Sequence, residues 1–260
     1  MNISGLQIEQ YMLVFMFASL RMFGLFLTAP MLAIRNFPIP YRLMFCLVFA
    51  LYMLPFLSTE HLVDANSTMT FGMSVIELSI GAFIGFLIRV GFMVIEIAAE
   101  ILSFQAGFSF ASTFFRDPSL DSGLMGQFLG LIAIALTFTL NIHLVLIDAV
   151  IGSFKTIPFG VWPSGWDSKA VVDLVLISFR LGLILSMPVL LVYMMFNLTQ
   201  AFLGRTSPQM NLFSVGFAIS IPLAFLVIIM ILPDLQIVLE RSLENPMQII
   251  RQGLEGSGAR

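Results

Sequence analysis

Six long apolar runs, separated by short polar or turn-rich segments, set the pattern of the chain. A helix that crosses a bilayer needs about 20 mostly apolar residues, and most of the runs reach or exceed that length. The runs are residues 11–34, 43–57, 71–97, 124–154, 171–203 and 212–232. The first ten residues lack the positive region of a secretory signal peptide, so we expect the first run to be retained. The pattern predicts an all-α membrane protein with about six long helices.

Prolines fall inside three of these runs. Pro55 lies near the end of the short second run, and Pro188 and Pro222 lie in the middle of the fifth and sixth runs. Proline has no backbone N–H and its ring clashes with the preceding turn, so it kinks a helix. Because kinked helices are more often packed against other helices than against plain lipid, we expect a protein that works inside an assembly or around a path.

Composition supports a membrane protein and excludes several other classes. Of the 260 residues, 59% are apolar and 10% are charged, against about 45–50% and about 25% in soluble domains. The net charge of −3 is spread along the chain and gives no basic patch for nucleic acid. The single cysteine, Cys46, excludes an internal disulfide and a cysteine-cluster metal site. Because common phosphate-binding, nucleophile and zinc-protease motifs are also missing, we expect no enzyme and no cofactor.

Eight ionisable residues lie within or at the edges of the apolar runs, where each must find a partner or water and so marks a functional hypothesis. They are Arg21, Glu77, Arg89, Glu96, Glu100, Asp148, Asp173 and Arg180. On an ideal helix Glu96 and Glu100 lie about 20° from Arg89, whereas Glu77 projects about 120° away. One stripe of the third predicted helix is therefore charged and is not expected to face lipid.

The charged stripe admits two explanations. Glu96 and Glu100 are candidates for a proton relay of the kind that proton-coupled transporters place in the membrane. Alternatively, the stripe fixes packing against neighbouring subunits, or this helix end extends beyond the hydrocarbon. Opposite charges on one stripe compensate each other, which favours the packing explanation. Asp148, five residues after His143, is expected at a helix end near the membrane interface.

A Phe-rich segment, residues 103–119, separates the third and fourth runs. It is polar and interrupted by glycine, yet it carries five phenylalanines. Backbone outside a helix is tolerated at membrane depth only where protein buries it or where it lines a water-filled cavity. Glycines four residues apart flank the segment at 81–85 and 126–130, a spacing that lets helices approach closely. We therefore expect the Phe-rich segment to be held between packed helices, where it could act as a gate.

Two sequence blocks resemble those of a known family. Residues 105–111 read Gln-Ala-Gly-Phe-Ser-Phe-Ala and are followed by Asp-Pro at 117–118. Residues 197–217 contain Asn-Leu, Arg-x-x-Pro-Gln and Gly-Phe elements in order. Both blocks resemble the FliR/SctT family, the export-gate component of flagellar and virulence type III secretion systems. The resemblance covers residues from about 10 to 242.

The resemblance implies a domain organisation and an assembly. Residues 1–170 are similar to FliP and include the plug loop 103–119, and residues 171–244 are similar to the FliQ hairpin. In this family, one copy assembles with five FliP and four FliQ subunits into a helical gate. The gate associates with FlhB and FlhA. That gate sits in the bacterial inner membrane at the flagellar basal body, contacts lipid and passes unfolded flagellar substrates. Residues 245–260 show no apolar period and are expected to form a flexible tail.

The resemblance also implies roles for individual residues. The plug or gate residues are Gly107, Phe108, Phe110, Phe114, Phe115, Arg116 and Asp117, and the cytoplasmic hairpin residues are Arg205, Pro208 and Gln209. Two rival hypotheses remain open. One is a self-contained proton-coupled transporter that uses Glu77, Glu96, Glu100 and Asp148. The other is a purely structural subunit that nucleates the assembly and does not need the loop for sealing.

Overall fold

The computed structural model describes residues 5–30, 38–57, 67–107, 123–163, 165–206 and 212–258. These ranges form seven α-helices and one short 3-10 turn, Leu54–Phe56, and they contain no strand. The helices are α1 (Gly5–Thr28), α2 (Ile39–Met53), α3 (Ser67–Gln105), α4 (Gly123–Thr139), α5 (Ile142–Thr156), α6 (Ser168–Thr206) and α7 (Leu212–Gly258). The predicted all-α class is confirmed, with a helix count close to six.

Four helices, α1, α3, α6 and α7, are long and apolar enough to cross a membrane. The pair α4 and α5 provides a fifth span if the two are counted as one broken span. Helix α2 is apolar but shorter, as expected for the second run. Pro188 and Pro222 lie inside uninterrupted helices, so neither proline ends a helix.

The fourth apolar run, counted above as one candidate span, forms two helices. Helix α4 ends at Thr139 and α5 begins at Ile142. Between them Asn141 has a φ of 55°, in the left-handed region. Asparagine tolerates this conformation better than most residues because its short polar side chain bonds locally. A single asparagine in an apolar run therefore breaks the helix, although hydropathy alone does not reveal the break.

The tail was expected to be loose from residue 245, and its described part is instead helical to Gly258. Ile250 and Leu254 are buried, and Gly253 lies against the indole of Trp166, which leaves no room for a Cβ atom. Leu243 is also buried, so apolar contacts recur at spacings of seven and four residues. This spacing is that of a helix, so the tail continues α7. In the sequence, the glycines of the tail interrupt the apolar pattern and hide its helical period.

The chain forms two compact units. The first unit contains Met1–Val90, Asn141–Leu174 and Glu244–Arg260, and the second contains Gly91–Leu140 and Val175–Leu243. In the second unit, Val94 and Ala98 of α3 pack with Leu185 of α6 in a buried cluster that Leu181 and Val238 extend. The division at residue 170, which the resemblance implies, stays a prediction.

Close packing of α1 on α3 organises the first unit. A Cβ atom at Gly81 would overlap the backbone carbonyl of Arg21, and one at Gly85 would overlap the Thr28 hydroxyl. Thr28 Oγ1 donates to the carbonyl of Ala82 at 2.9 Å. The close approach expected at Gly81 and Gly85 is therefore confirmed. At Gly130 an added Cβ atom would meet none of the described residues within 4 Å, so the second glycine pair does not provide the expected contact there.

Candidate functional site

The first three residues of the Phe-rich segment belong to the last turn of α3, and the segment then leaves the helix at a sharp turn. The helix ends at Gln105, and the N–H of Ala106 still donates to the carbonyl of Leu102 at 2.9 Å. Gly107 follows with a φ of +80°, a left-handed conformation that glycine commonly adopts after a helix and that side chains disfavour. Gly107 therefore lets the chain leave the helix at the first residue of the predicted plug.

Side chains of α6 and α7 hold this turn in place. Ser220 Oγ donates to the carbonyl of Ala106 at 2.9 Å, and the Tyr193 hydroxyl donates to the carbonyl of Ser220 at 2.8 Å. The Phe217 ring lies against Gly107, where an added Cβ atom would come within 2.8 Å of its Cε1 atom. Ala106, Tyr193 and Ser220 are buried. These five residues, Ala106, Gly107, Tyr193, Phe217 and Ser220, are called the segment base below.

A cleft of about 450 Å³ lies beside the end of α3. Two amide side chains and three apolar side chains line it, namely Gln105, Asn197, Leu190, Met194 and Leu198. Side-chain amides offer both hydrogen-bond donors and acceptors, and methionine adapts to irregular surfaces. The lining offers hydrogen bonds and apolar contacts, and none of these five residues has acid, base or nucleophile chemistry.

The predicted plug and hairpin residues fall mostly outside the described ranges. Phe108, Phe110, Phe114, Phe115, Arg116 and Asp117 lie in the undescribed stretch after Gly107, and Pro208 and Gln209 lie in the one after Thr206. Gly107 is described and belongs to the segment base. Arg205 is exposed near the end of α6.

A buried ion pair forms a second polar site, in the first unit. Arg21 Nε donates to Glu77 Oε2 at 2.7 Å, and both side chains are 0% exposed. Arg21 Nη1 donates to Ser153 Oγ at 3.1 Å. The backbone N–H of Gly160 donates to Glu77 Oε1 at 2.9 Å. The network therefore links α1, α3 and α5 to the loop that follows α5.

Aromatic rings complete the surroundings of Arg21. Its Cζ atom lies 4.4 Å from the ring centroid of Phe154 and 5.8 Å from that of Phe159. Phe17 contacts Phe159, with 5.8 Å between the ring centroids. Arg21 Nη2 has no hydrogen-bond partner among the described residues. Attraction between the guanidinium and the face of an aromatic ring offsets part of the energy of that missing hydrogen bond. The pair is thus enclosed by protein and is not accessible to water or to lipid.

The other flagged charges lie on open surfaces. Arg89, Glu96 and Glu100 of α3 are exposed, and so are Asp148 of α5 and both Asp173 and Arg180 of α6. None of them forms an ion pair within the described part of the chain. The predicted charged stripe of α3 is therefore exposed while Glu77 is buried, in agreement with the predicted angle between them. The structure brings Glu77 to Arg21 and does not gather the carboxylates into a relay.

Sequence reasoning missed the neutral partners in both sites. Ser153 and Gly160 bond the ion pair, and Tyr193 and Ser220 hold the segment base, yet none of them carries a charge or belongs to a recognised motif. Phe217 belongs to the Gly-Phe element, but its contact with Gly107 was not predicted. The sequence did contain a signal for the Arg21–Glu77 ion pair. Arg21 and Glu77 have opposite charges on two runs that both contain glycines.

Within the residues that the structure describes, no three or more His, Cys, Asp or Glu side chains lie close enough to hold a metal ion.

Known proteins resemble the chain over most of its length. A family model described as Bacterial export proteins, family 1, matches residues 12–245. Flagellar biosynthetic protein FliR of Escherichia coli (strain K12) is 28% identical over 217 residues, which cover 82% of each chain. The protein of the same name from Bacillus subtilis (strain 168) is 23% identical over 245 residues, 91% of this chain and 93% of the relative. That from Buchnera aphidicola subsp. Acyrthosiphon pisum is 29% identical over 196 residues, 74% of each. The helical, membrane-spanning chain therefore belongs to family 1 of the bacterial export proteins.

Proposed function

We propose that this chain is a single-copy subunit of the flagellar type III protein export gate. The family match and the names of the relatives support a role in flagellar export, and the four spanning helices support a place in the membrane. The gate lies in the bacterial inner membrane at the flagellar basal body. Its other subunits are FliP and FliQ, five and four copies for one of this chain, with FlhB and FlhA beside them. Unfolded flagellar proteins are the substrates.

The Phe-rich segment closes the gate when no substrate is present. The segment base carries this proposal, because Ser220 and Phe217 hold Ala106 and Gly107, where the segment leaves α3, against a packed helical unit. A closing element needs one rigid end so that it returns to the same place after each passage. Phenylalanine side chains suit the task, since a hydrophobic constriction excludes water and ions by dewetting.

Replacing the segment's phenylalanines tests this function. Phe108, Phe110, Phe114 and Phe115 are changed together to alanine in cells that carry the complete export apparatus. The dewetted constriction is lost, so we expect cells that leak small ions and grow slowly in high salt while flagellar proteins are still exported. Passive ion uptake and filament assembly are the two measurements.

Phe104→Ala is the matched control. Phe104 is the fifth phenylalanine of the segment, but it lies exposed on the last turn of α3, before the segment base, so its loss should leave the seal intact. If the fourfold variant assembles, exports and stays as tight as the Phe104→Ala variant, the segment does not close the gate. The chain would then serve as a purely structural subunit.

A further inference from the structure

The first part of α7 has few buried contacts of its own. Among residues 215–221, Ser220 is the one buried residue. The stretch that follows is packed more firmly and contains the buried residues Ala224, Val227, Ile228 and Ile231. A stretch of helix with few buried contacts opens locally at a small cost in free energy. The first part of α7 therefore depends on individual contacts to stay in place.

Pro222 separates these two parts of α7. In a helix, the backbone N–H of each residue donates to the carbonyl four residues earlier, and proline has no N–H to donate. The hydrogen bond that would join residue 222 to the carbonyl of Ala218 is therefore missing, although the helix continues through this position. A helix bends most readily where such a bond is missing. Pro222 thus provides a hinge between the loosely and the firmly packed parts of α7.

Tyr193 of α6 holds α7 directly beside this hinge. Its hydroxyl donates to the carbonyl of Ser220 at 2.8 Å, two residues before Pro222. The Tyr193 side chain is 0% exposed, and the Phe196 ring packs edge to face against it, with 6.2 Å between the ring centroids. A buried hydroxyl that loses its partner has no water to replace it, so breaking this hydrogen bond is costly.

Ser220 connects Tyr193 to the Phe-rich segment. The Ser220 hydroxyl donates to the carbonyl of Ala106 at 2.9 Å, and the Phe217 ring lies against Gly107. Both contacts with the start of the segment therefore come from the part of α7 that precedes the hinge. If this part of α7 moves, both contacts are lost together.

From these observations we propose that Tyr193 is a positioning residue of the gate. Its hydroxyl holds the first part of α7 in place at the Pro222 hinge and so keeps the Phe-rich segment in its closed position. This role rests on the proposed function, because it takes the segment to be the element that closes the gate. It adds the residue that holds the segment base and the hinge at which the base is released.

Removing the hydroxyl alone tests the role of Tyr193. Tyr193→Phe keeps the ring, and passive ion uptake by cells with the complete export apparatus should rise by about two- to fivefold. This size follows because a hydrogen bond of about 1 kcal/mol changes the population of the closed state by about fivefold. Flagellar export should continue. Ser186→Ala should leave ion uptake unchanged, because Ser186 is also buried in α6 but donates to the nearby carbonyl of Leu183.

Two proline variants distinguish positioning at the hinge from a general loss of stability. Pro222→Ala restores an N–H at the hinge and stiffens α7, so in combination with Tyr193→Phe it should lower ion uptake to near that of the unchanged chain. Pro233 is also an exposed proline within α7, eleven residues later. Pro233→Ala in combination with Tyr193→Phe should leave ion uptake high, because it stiffens the helix away from the segment base.

Hydrogen exchange provides a measurement that does not depend on ion flow. In the purified gate assembly, the backbone amides of residues 215–221 should exchange up to about fivefold faster in the Tyr193→Phe variant than in the unchanged chain. Those of residues 223–243 should keep their rate, because this part of α7 lies beyond the hinge.

Three outcomes would overturn the positioning role of Tyr193. The first is unchanged ion uptake and unchanged exchange in gates that contain the Tyr193→Phe chain. The second is equal rescue by Pro222→Ala and Pro233→Ala, because the hinge would then have no special place. The third is a Tyr193→Phe chain that fails to assemble, because the hydroxyl would then serve folding and not positioning.

Failure of the proposed function gives a different result. In that case the variant that lacks the four phenylalanines would not leak. If that variant leaks and the Tyr193→Phe variant stays tight, the positioning role of Tyr193 alone fails.

Discussion

The pair Arg21–Glu77 shows how a charged residue becomes tolerable inside an apolar chain. Each charge has its opposite at 2.7 Å, and both have further partners in Ser153 and the N–H of Gly160. Sequence identified both residues as unusual, because a charge within a spanning run needs a partner. It did not identify them as partners of each other, since that depends on the helical register at which α1 and α3 meet. Exposure of Arg89 likewise depends on the tertiary contacts of α3.

Removing one member of the pair should be costly. Arg21→Met leaves the Glu77 carboxylate buried without its cation, and we expect a loss of about 3–5 kcal/mol of unfolding free energy. Arg21→Met combined with Glu77→Leu should lose less than the single change, because no charge remains buried. Arg89→Met, the same change at an exposed position, should have an effect within about 0.5 kcal/mol. Thermal unfolding of the purified chain in detergent measures all three. Equal losses for Arg21→Met and Arg89→Met would contradict this account.

The hydroxyl of Ser220 should affect the seal. Ser220→Ala removes the hydrogen bond to Ala106, worth about 1 kcal/mol, which corresponds to about a fivefold change in the population of the fixed state. We expect a measurable rise in passive ion uptake by cells, smaller than that caused by losing the phenylalanines. Ser242→Ala is the matched control, because Ser242 is also buried in α7 but donates only to the nearby carbonyl of Leu239. A leak of the same size in the Ser220→Ala and Ser242→Ala variants would contradict a specific role of the Ser220 hydrogen bond in the seal.

At the scale of helices, hydropathy predicted where helices occur better than where they end. The apolar runs all contain helices, because spanning length and composition are dominant signals. The break at Asn141 and the continuation of α7 to Gly258 were not predicted. The break depends on one residue's backbone conformation. The continuation depends on contacts such as Gly253 with Trp166, which are distant in sequence.

Replacing glycine with alanine should lower the stability of the chain at Gly81 of α3 and raise it at Gly130 of α4. Gly81→Ala introduces a Cβ atom into the backbone of Arg21, so the two helices must separate, at a cost of about 1–3 kcal/mol. Gly130→Ala meets open space among the described residues and should stabilise α4 by about 0.5–1 kcal/mol through its helix preference. The unfolding temperature of the purified chain reports both signs. A gain of stability at Gly81 would contradict the close packing of α1 on α3.

At the scale of the whole molecule, large apolar surfaces remain for lipid and for other subunits. The most apolar parts of α6 and α7 are only 28% buried, compared with 61% for α3. Membership of the export family follows from a match across residues 12–245. Sequence could predict this membership because short motifs keep their order along a chain. The segment base depends on Phe217 and Ser220, which are more than 100 residues distant from Ala106 in sequence, and could not be predicted from local pattern.

Ion conductance across a planar bilayer that contains the purified gate assembly tests the central claim most directly. Two assemblies are compared, one with the intact chain and one with residues 108–117 deleted, so that Ala106 and Gly107 of the segment base stay in place. If the Phe-rich segment closes the path, the intact assembly conducts almost no current and the deleted one shows stable open channels. Equal, near-zero conductance in both fully assembled gates would contradict the claim, because something other than this segment would then seal the path.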